Sequence, residues 1–251
     1  MNLTFLLPLG AGVVLYLLAG ITNRSYIKTK LETFTLFSIF CLLFGTALMT
    51  RMISLISTTY VDLYIIHNLC YINAAVLLAL FIDLVSKGHI TWKSLLVFFC
   101  AGGLSVSQIF LDEYIIIYSE LTGWTTILTN LIHFGVFVLY YGFIIFFILG
   151  GYLIRIYREN SGWKKVLLKR IIIVFLITGS GVTGFYCLRI LNLIGNPLLR
   201  NLDTVCIVIG FGYLIQQYLQ HPSAFHLDMV DIVYLKIQNS YLQTIQMCLK
   251  I

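Results

Sequence analysis

Charge is what this sequence lacks first. Only 10% of its 251 residues are Asp, Glu, Lys or Arg, against about 25% in a soluble domain. With 60% of the chain hydrophobic, there is too little polar surface to cover the outside. That excludes an ordinary soluble globular protein and leaves lipid as the main solvent. Alternating ten-residue apolar segments are missing too, which argues against a transmembrane barrel. Of the 3 prolines, Pro8, Pro197 and Pro222, only Pro8 falls in a predicted span, so the broken helices of many transporters are not expected. No two of the six cysteines fall in predicted outer loops, so no disulfide is expected. His89, His221 and His226 have no carboxylate or thiol partner at ligand spacing, so neither metal nor cofactor is expected. No set of acid, base and nucleophile is visible, and the chain reads as a non-enzyme. The first apolar run has no basic segment before it and no small-residue cleavage site after it, so no cleavable signal peptide is expected.

What is present is long apolar runs separated by short, unequally charged loops. The segment 155–170 carries Arg155, Arg158, Lys164, Lys165, Lys169 and Arg170 against the single acid Glu159. Short loops rich in Lys and Arg stay in the cytoplasm. Counting outward from this loop gives spans at about 3–22, 34–56, 63–86, 94–111, 124–157, 171–194 and 203–219. The loops holding Arg24, Lys28 and Lys30, and then Lys87 and Lys93, are also basic, whereas 112–123 holds Asp112, Glu113 and Glu120 and no base. The reading is an all-α membrane protein: a seven-transmembrane-helix bundle with the N-terminus outside and the C-terminus cytoplasmic, multi-pass in the cell membrane. The fifth run is longer than the roughly 20 residues a bilayer needs, so its end, near 150–157, is expected to project as a helical stem. The net charge of +6 reads as topology and as attraction to anionic membrane lipid, not as a nucleic-acid footprint.

The domain division is 1–220, the membrane bundle, and 221–251, a cytoplasmic tail. His221-Pro222-Ser223 breaks the last helix, because proline lacks a donor and restrains its neighbour. Beyond it, Ile232-Val233-Tyr234-Leu235 has strand composition, so 231–237 is expected as a short β-like element. The tail reads as the start of a soluble signalling domain, or as a surface that pairs with its own second segment, a second copy or a cytoplasmic signalling partner; the plainer alternative is an interfacial segment lying on the membrane.

Polar side chains at membrane depth usually face the bundle interior or a cavity. In this orientation Arg51, His67, Asn68, Asn130, His133, Tyr186 and Arg189 all fall in the outer half. Tyr186, Arg189 and Asn192 share one helix face by spacing. Those seven are the candidate ligand-binding residues of one outer cavity. Snorkelling of the arginines and helix–helix hydrogen bonding by the histidines are the plainer alternatives. Asp83 lies at the inner end of its span and reads as an anchor. Gly179-Ser180-Gly181 with Gly184 reads as a close-packing seam.

Seven helices invite comparison with G-protein-coupled receptors, but span three ends Ile82-Asp83-Leu84 and the only Asn-Pro, Asn196-Pro197, is in a loop. Span seven has no lysine for retinal, as microbial rhodopsins require. A short outer N-terminus, a basic first loop, and a last helix running from Gly210-Phe211-Gly212 into His221-Pro222 and Asp231-Ile232-Val233 are a different layout. It resembles the seven-helix sensor regions of prokaryotic histidine kinases and related signalling proteins. That resemblance implies a membrane receptor or sensor for a small or membrane-dissolved ligand, with output through the tail. The alternative is a small-molecule transporter or an integral subunit of a membrane complex.

Overall fold

The structure, a computed structural model, describes residues 3–29, 32–54, 62–110, 114–119, 123–128, 135–136, 138–190 and 202–220; for 3–5, 26, 28–29, 32, 62, 108–110, 114–119, 123–128, 163–164, 182, 185–190 and 218–220 only the backbone is described. Seven helices make up most of these residues. They are α1 (Leu3–Thr29), α2 (Glu32–Ser54), α3 (Asp62–Lys87), α4 (Trp92–Phe110), α5 (π-helical Leu139–Leu149 running directly into α-helical Gly150–Glu159), α6 (Gly162–Ile190) and α7 (Leu202–Gln220). Charges complement the helix dipoles at two ends: α3 closes on Lys87, and α7 carries Asp203 in its first turn. The α3–α4 and α5–α6 turns are tight, and each uses a glycine at positive φ, Gly88 at 72° and Gly162 at 60°, a conformation that a Cβ disfavours.

Successive helices lie side by side and α7 returns against α1, so the bundle closes as a ring. Its interior is aromatic. Phe37, Phe40 and Phe44 follow one face of α2, and ring contacts continue from Phe44 to Phe211 at 5.8 Å, to Tyr71 at 5.1 Å and from Tyr71 to Tyr141 at 5.2 Å. Of the expected glycine seam only Gly181 packs against α7, where a Cβ would strike the Cys206 side chain; Gly179 faces Phe146 of α5 and Gly184 has no close neighbour, while on α7 a Cβ at Gly210 would come 2.6 Å from Thr178 Cγ2.

Four helical stretches are long and apolar enough to cross a membrane: Leu6–Ser25, Thr33–Ser54, Leu63–Lys87 and Leu139–Glu159. Trp92–Ser107 and Leu202–Gln217 are shorter apolar helices. Large apolar side chains also point outward, Phe99 at 70% and Phe147 at 67% exposure among them. An apolar surface of this kind needs cover other than water. Together these features indicate a helical membrane protein.

The fifth span differs from the sequence reading at its beginning. Residues 124–128 are not helical. Strand β1 (Tyr114–Ser119) pairs antiparallel with β2 (Gly123–Leu128), Ile116 opposite Thr126 and Tyr118 opposite Trp124, and β2 lies against α6. Both segments are β-branched and aromatic, the composition that suits a pleated strand. Hydropathy alone cannot distinguish such a run from a helix. A two-stranded hairpin keeps open edges, which hydrocarbon does not tolerate, so 124–128 belongs outside the lipid. The excess length thus lies at the start of the run. Its end is helical to Glu159, and the basic segment is mostly helix, divided between the last turns of α5 and the first turns of α6. The fold therefore carries β structure at 114–128, within the stretch read as a loop and the start of a helix. The expected strand at 231–237 lies outside the described residues, as does the whole 221–251 tail.

Candidate functional site

Three layers of the bundle interior carry chemistry. The first joins the C-terminal end of α2 to the N-terminal parts of α3 and α7. Arg51 Nη1 donates to Asp203 Oδ2 at 3.0 Å, with side-chain exposures of 6% and 4%. Asp203 Oδ1 accepts the Thr204 amide at 2.8 Å. His67 and Asn68, one turn into α3, are buried beside them. His67 Nδ1 lies 2.6 Å from the Ala47 carbonyl, and a carbonyl only accepts, so Nδ1 carries a proton there. The space these groups share with Leu48, Tyr71 and Ile207 is ≈ 10 Å³, room for about one water.

The second layer is immediately below and shares Tyr71 with the first. It is an apolar cavity of ≈ 100 Å³ lined from five helices, with Phe40 and Phe44 of α2, Ala75 of α3, Tyr141 of α5, Phe175 of α6 and Phe211 of α7 on its walls. Apolar cavities of about 150 Å³ stay dry and admit a single aromatic ring. Pockets for drug-sized ligands run to about 300–1,000 Å³. At ≈ 100 Å³ the space is smaller than either, so even a single aromatic ring has to widen it.

The third layer lies at the opposite end of the bundle. Asp83 of α3 is completely buried and accepts four hydrogen bonds: from the Thr91 amide at 2.6 Å, the Thr91 hydroxyl at 3.1 Å, the Ser94 hydroxyl at 2.6 Å and the Tyr152 hydroxyl at 2.6 Å. Its negative charge sits at the N-terminus of α4, where the helix dipole favours it. Asp83 therefore ties α3, α4 and α5 together, a wider role than anchoring the end of one span.

Of the seven residues expected to share a cavity, Arg51, His67 and Asn68 come together. Their space is small and closed, unlike the open outer cavity expected. Asp203 lines the same space and is the partner of Arg51 there. Tyr186 and Arg189 lie on the last turns of α6, their side chains outside the description, and Asn130 and His133 lie outside the described residues. Sequence reasoning began the last span at 203 but left Asp203 out of the candidate set. It also passed over the aromatic cavity, although Phe37, Phe40 and Phe44 at i, i+3 and i+7 were a legible stripe. Comparison with protein-family models, curated proteins and solved structures finds no match to this chain.

Proposed function

We propose that the chain is a seven-helix membrane receptor or sensor whose ligand is small, apolar and membrane-dissolved, and whose output leaves through α7 into the cytoplasmic tail. The observation that carries this reading is the aromatic cavity, because it is walled by both halves of the bundle. On one side α2, α3 and α7 are linked by the Arg51–Asp203 pair and the Phe44 ring contacts. On the other, α5 and α6 contribute Tyr141, Ile145, Phe175 and Thr178. A guest larger than the present space has to part the two walls. It then binds one arrangement better than the other, which is the condition for a ligand to shift an equilibrium. Parting the walls works against the close α6–α7 contact at Gly181 and Gly210, so it displaces α7 relative to α6 and moves the tail that follows.

Thermal unfolding of the purified protein with indole or naphthalene tests the cavity. At ten times Kd a guest should stabilise the protein by about 1.4 kcal/mol, a few degrees in Tm. Ala75→Leu projects three more carbons from the cavity wall and should abolish that shift while keeping the basal Tm. Equal shifts in the two proteins would mean that the guests act through the detergent and not the cavity. The orientation is tested separately in intact cells. A membrane-impermeant thiol reagent should label Glu120→Cys and spare Lys164→Cys in a background without other accessible cysteines, and the reverse pattern would invert the bundle.

A further inference from the structure

At the end of the bundle that holds Asp83, Lys87 of α3 and Lys93 of α4 converge on the ring of Tyr152 in α5, one turn before Arg155. Lys93 Nζ sits 4.0 Å from the centre of the Tyr152 ring, and Lys87 Nζ sits 5.9 Å from it. Arg155 lies three residues further along α5, exposed, and is held by Glu159 at 2.8 Å. Tyr152 gives its hydroxyl to Asp83 and its ring to the lysines. The acids nearby do not cancel the cluster. Asp83 is buried with both oxygens fully engaged. Glu159 forms a solvent-exposed pair with Arg155, the kind that contributes little. Burial and then the neighbouring charges of Arg155 and Lys87 push the Lys93 ammonium below the usual lysine range, with Asp83 and Glu159 acting in the opposite sense.

We propose that Lys87, Lys93 and Arg155 form a binding site for the phosphate headgroup of an anionic phospholipid. Converging like charges carry a repulsion that a bound anion relieves. Two ammonium groups and a guanidinium are a donor set suited to phosphate. The lipid source follows from the neighbours. Ile90 and Trp92, between the two lysines in sequence, are 51% and 66% exposed, and Trp92 lies 5.9 Å below Lys93 Nζ. Tryptophans favour the depth of the headgroups, so the cations stand at phosphate level with apolar groups beside them for glycerol and acyl chain. A soluble phosphate would use the cations and leave Ile90 and Trp92 in water.

The test is lipid binding to the full chain in a non-ionic detergent, followed by native mass spectrometry. Phosphatidylglycerol should bind more tightly than phosphatidylcholine. Each cation near a membrane surface contributes about 1 kcal/mol, so Lys93→Gln should weaken phosphatidylglycerol binding about fivefold. The triple variant Lys87→Gln, Lys93→Gln, Arg155→Gln should weaken it about a hundredfold. A control triple variant with the same charge loss elsewhere, Arg24→Gln, Lys165→Gln, Lys169→Gln, should change it less than fivefold. Unchanged lipid-free Tm and helix content establish that the variants are folded. Equal losses in the two triple variants would replace the site by diffuse attraction. Glycerol phosphate binding as tightly as the lipid would overturn the lipid assignment, and so would equal affinity for the two phospholipids.

Discussion

Asp203→Ala should destabilise the protein by about 3–5 kcal/mol, the range for removing one partner of a buried ion pair. Arg51 and Asp203 are 152 positions apart in sequence and meet at 3.0 Å with almost no exposure. Removing the carboxylate strands a guanidinium among Leu48, His67, Asn68 and Ile207, where water can screen it only by entering a closed space. For a chain of this size the cost corresponds to a fall of about 10 °C in Tm. Arg51→Met leaves Asp203 its Thr204 amide and the N-terminus of α7, which favours a negative charge, and should cost less than Asp203→Ala. The double variant Arg51→Met, Asp203→Leu should recover most of the Asp203→Ala loss, because replacing a whole buried pair by apolar groups is often neutral or better. Losses below about 1 kcal/mol in both single variants would show an exposed, screened pair and would remove the link between α2 and α7.

Asp83→Ala is the second large effect. Four donors lose one acceptor at once, three of them on the α4 side and one on α5. A buried donor left unpaired costs about 1–3 kcal/mol; with some of the four finding water, a total near 4 kcal/mol is expected. Tyr152→Phe removes only one donor and leaves three satisfied, so it should cost about 1 kcal/mol. Hydrogen exchange gives a local readout. The Thr91 amide is held by Asp83, and the Leu95 amide by the Thr91 carbonyl at 3.2 Å. Both should exchange faster in Asp83→Ala, while amides in the middle of α2 keep their protection. Exchange at Thr91 that matches the unmodified protein would contradict the role given to Asp83. The double variant with Tyr152→Phe should cost less than the sum, since the two changes remove the same hydrogen bond.

The depths of the polar groups were legible in the sequence because depth is a one-dimensional quantity. Counting turns from a helix end places Arg51, His67 and Asn68 at one level, and the structure brings those three together. Azimuth was not legible. On a soluble amphipathic helix the apolar stripe marks the buried face. Here lipid-facing and core-facing sides are both apolar, as outward Phe98 and Phe99 and inward Val97 and Ala101 of α4 illustrate. A sequence with no polar face does not announce which side chain meets which. Asp203 is the instance: it opens the last span in the sequence, and nothing there points to Arg51 as its partner.

The amino-acid sequence by itself determined the helical membrane class and the unequal distribution of basic residues, both of which follow from summed hydropathy and charge along the chain. Only the tertiary structure decided three further things. It closed Arg51 with Asp203, because a buried guanidinium holds the nearest carboxylate that packing supplies. It gathered Thr91, Ser94 and Tyr152 around Asp83, because a buried carboxylate needs donors from whichever helices pass it. And it made a hairpin of 114–128, because the strand form of that apolar run depends on pairing between two segments, which neither segment encodes alone.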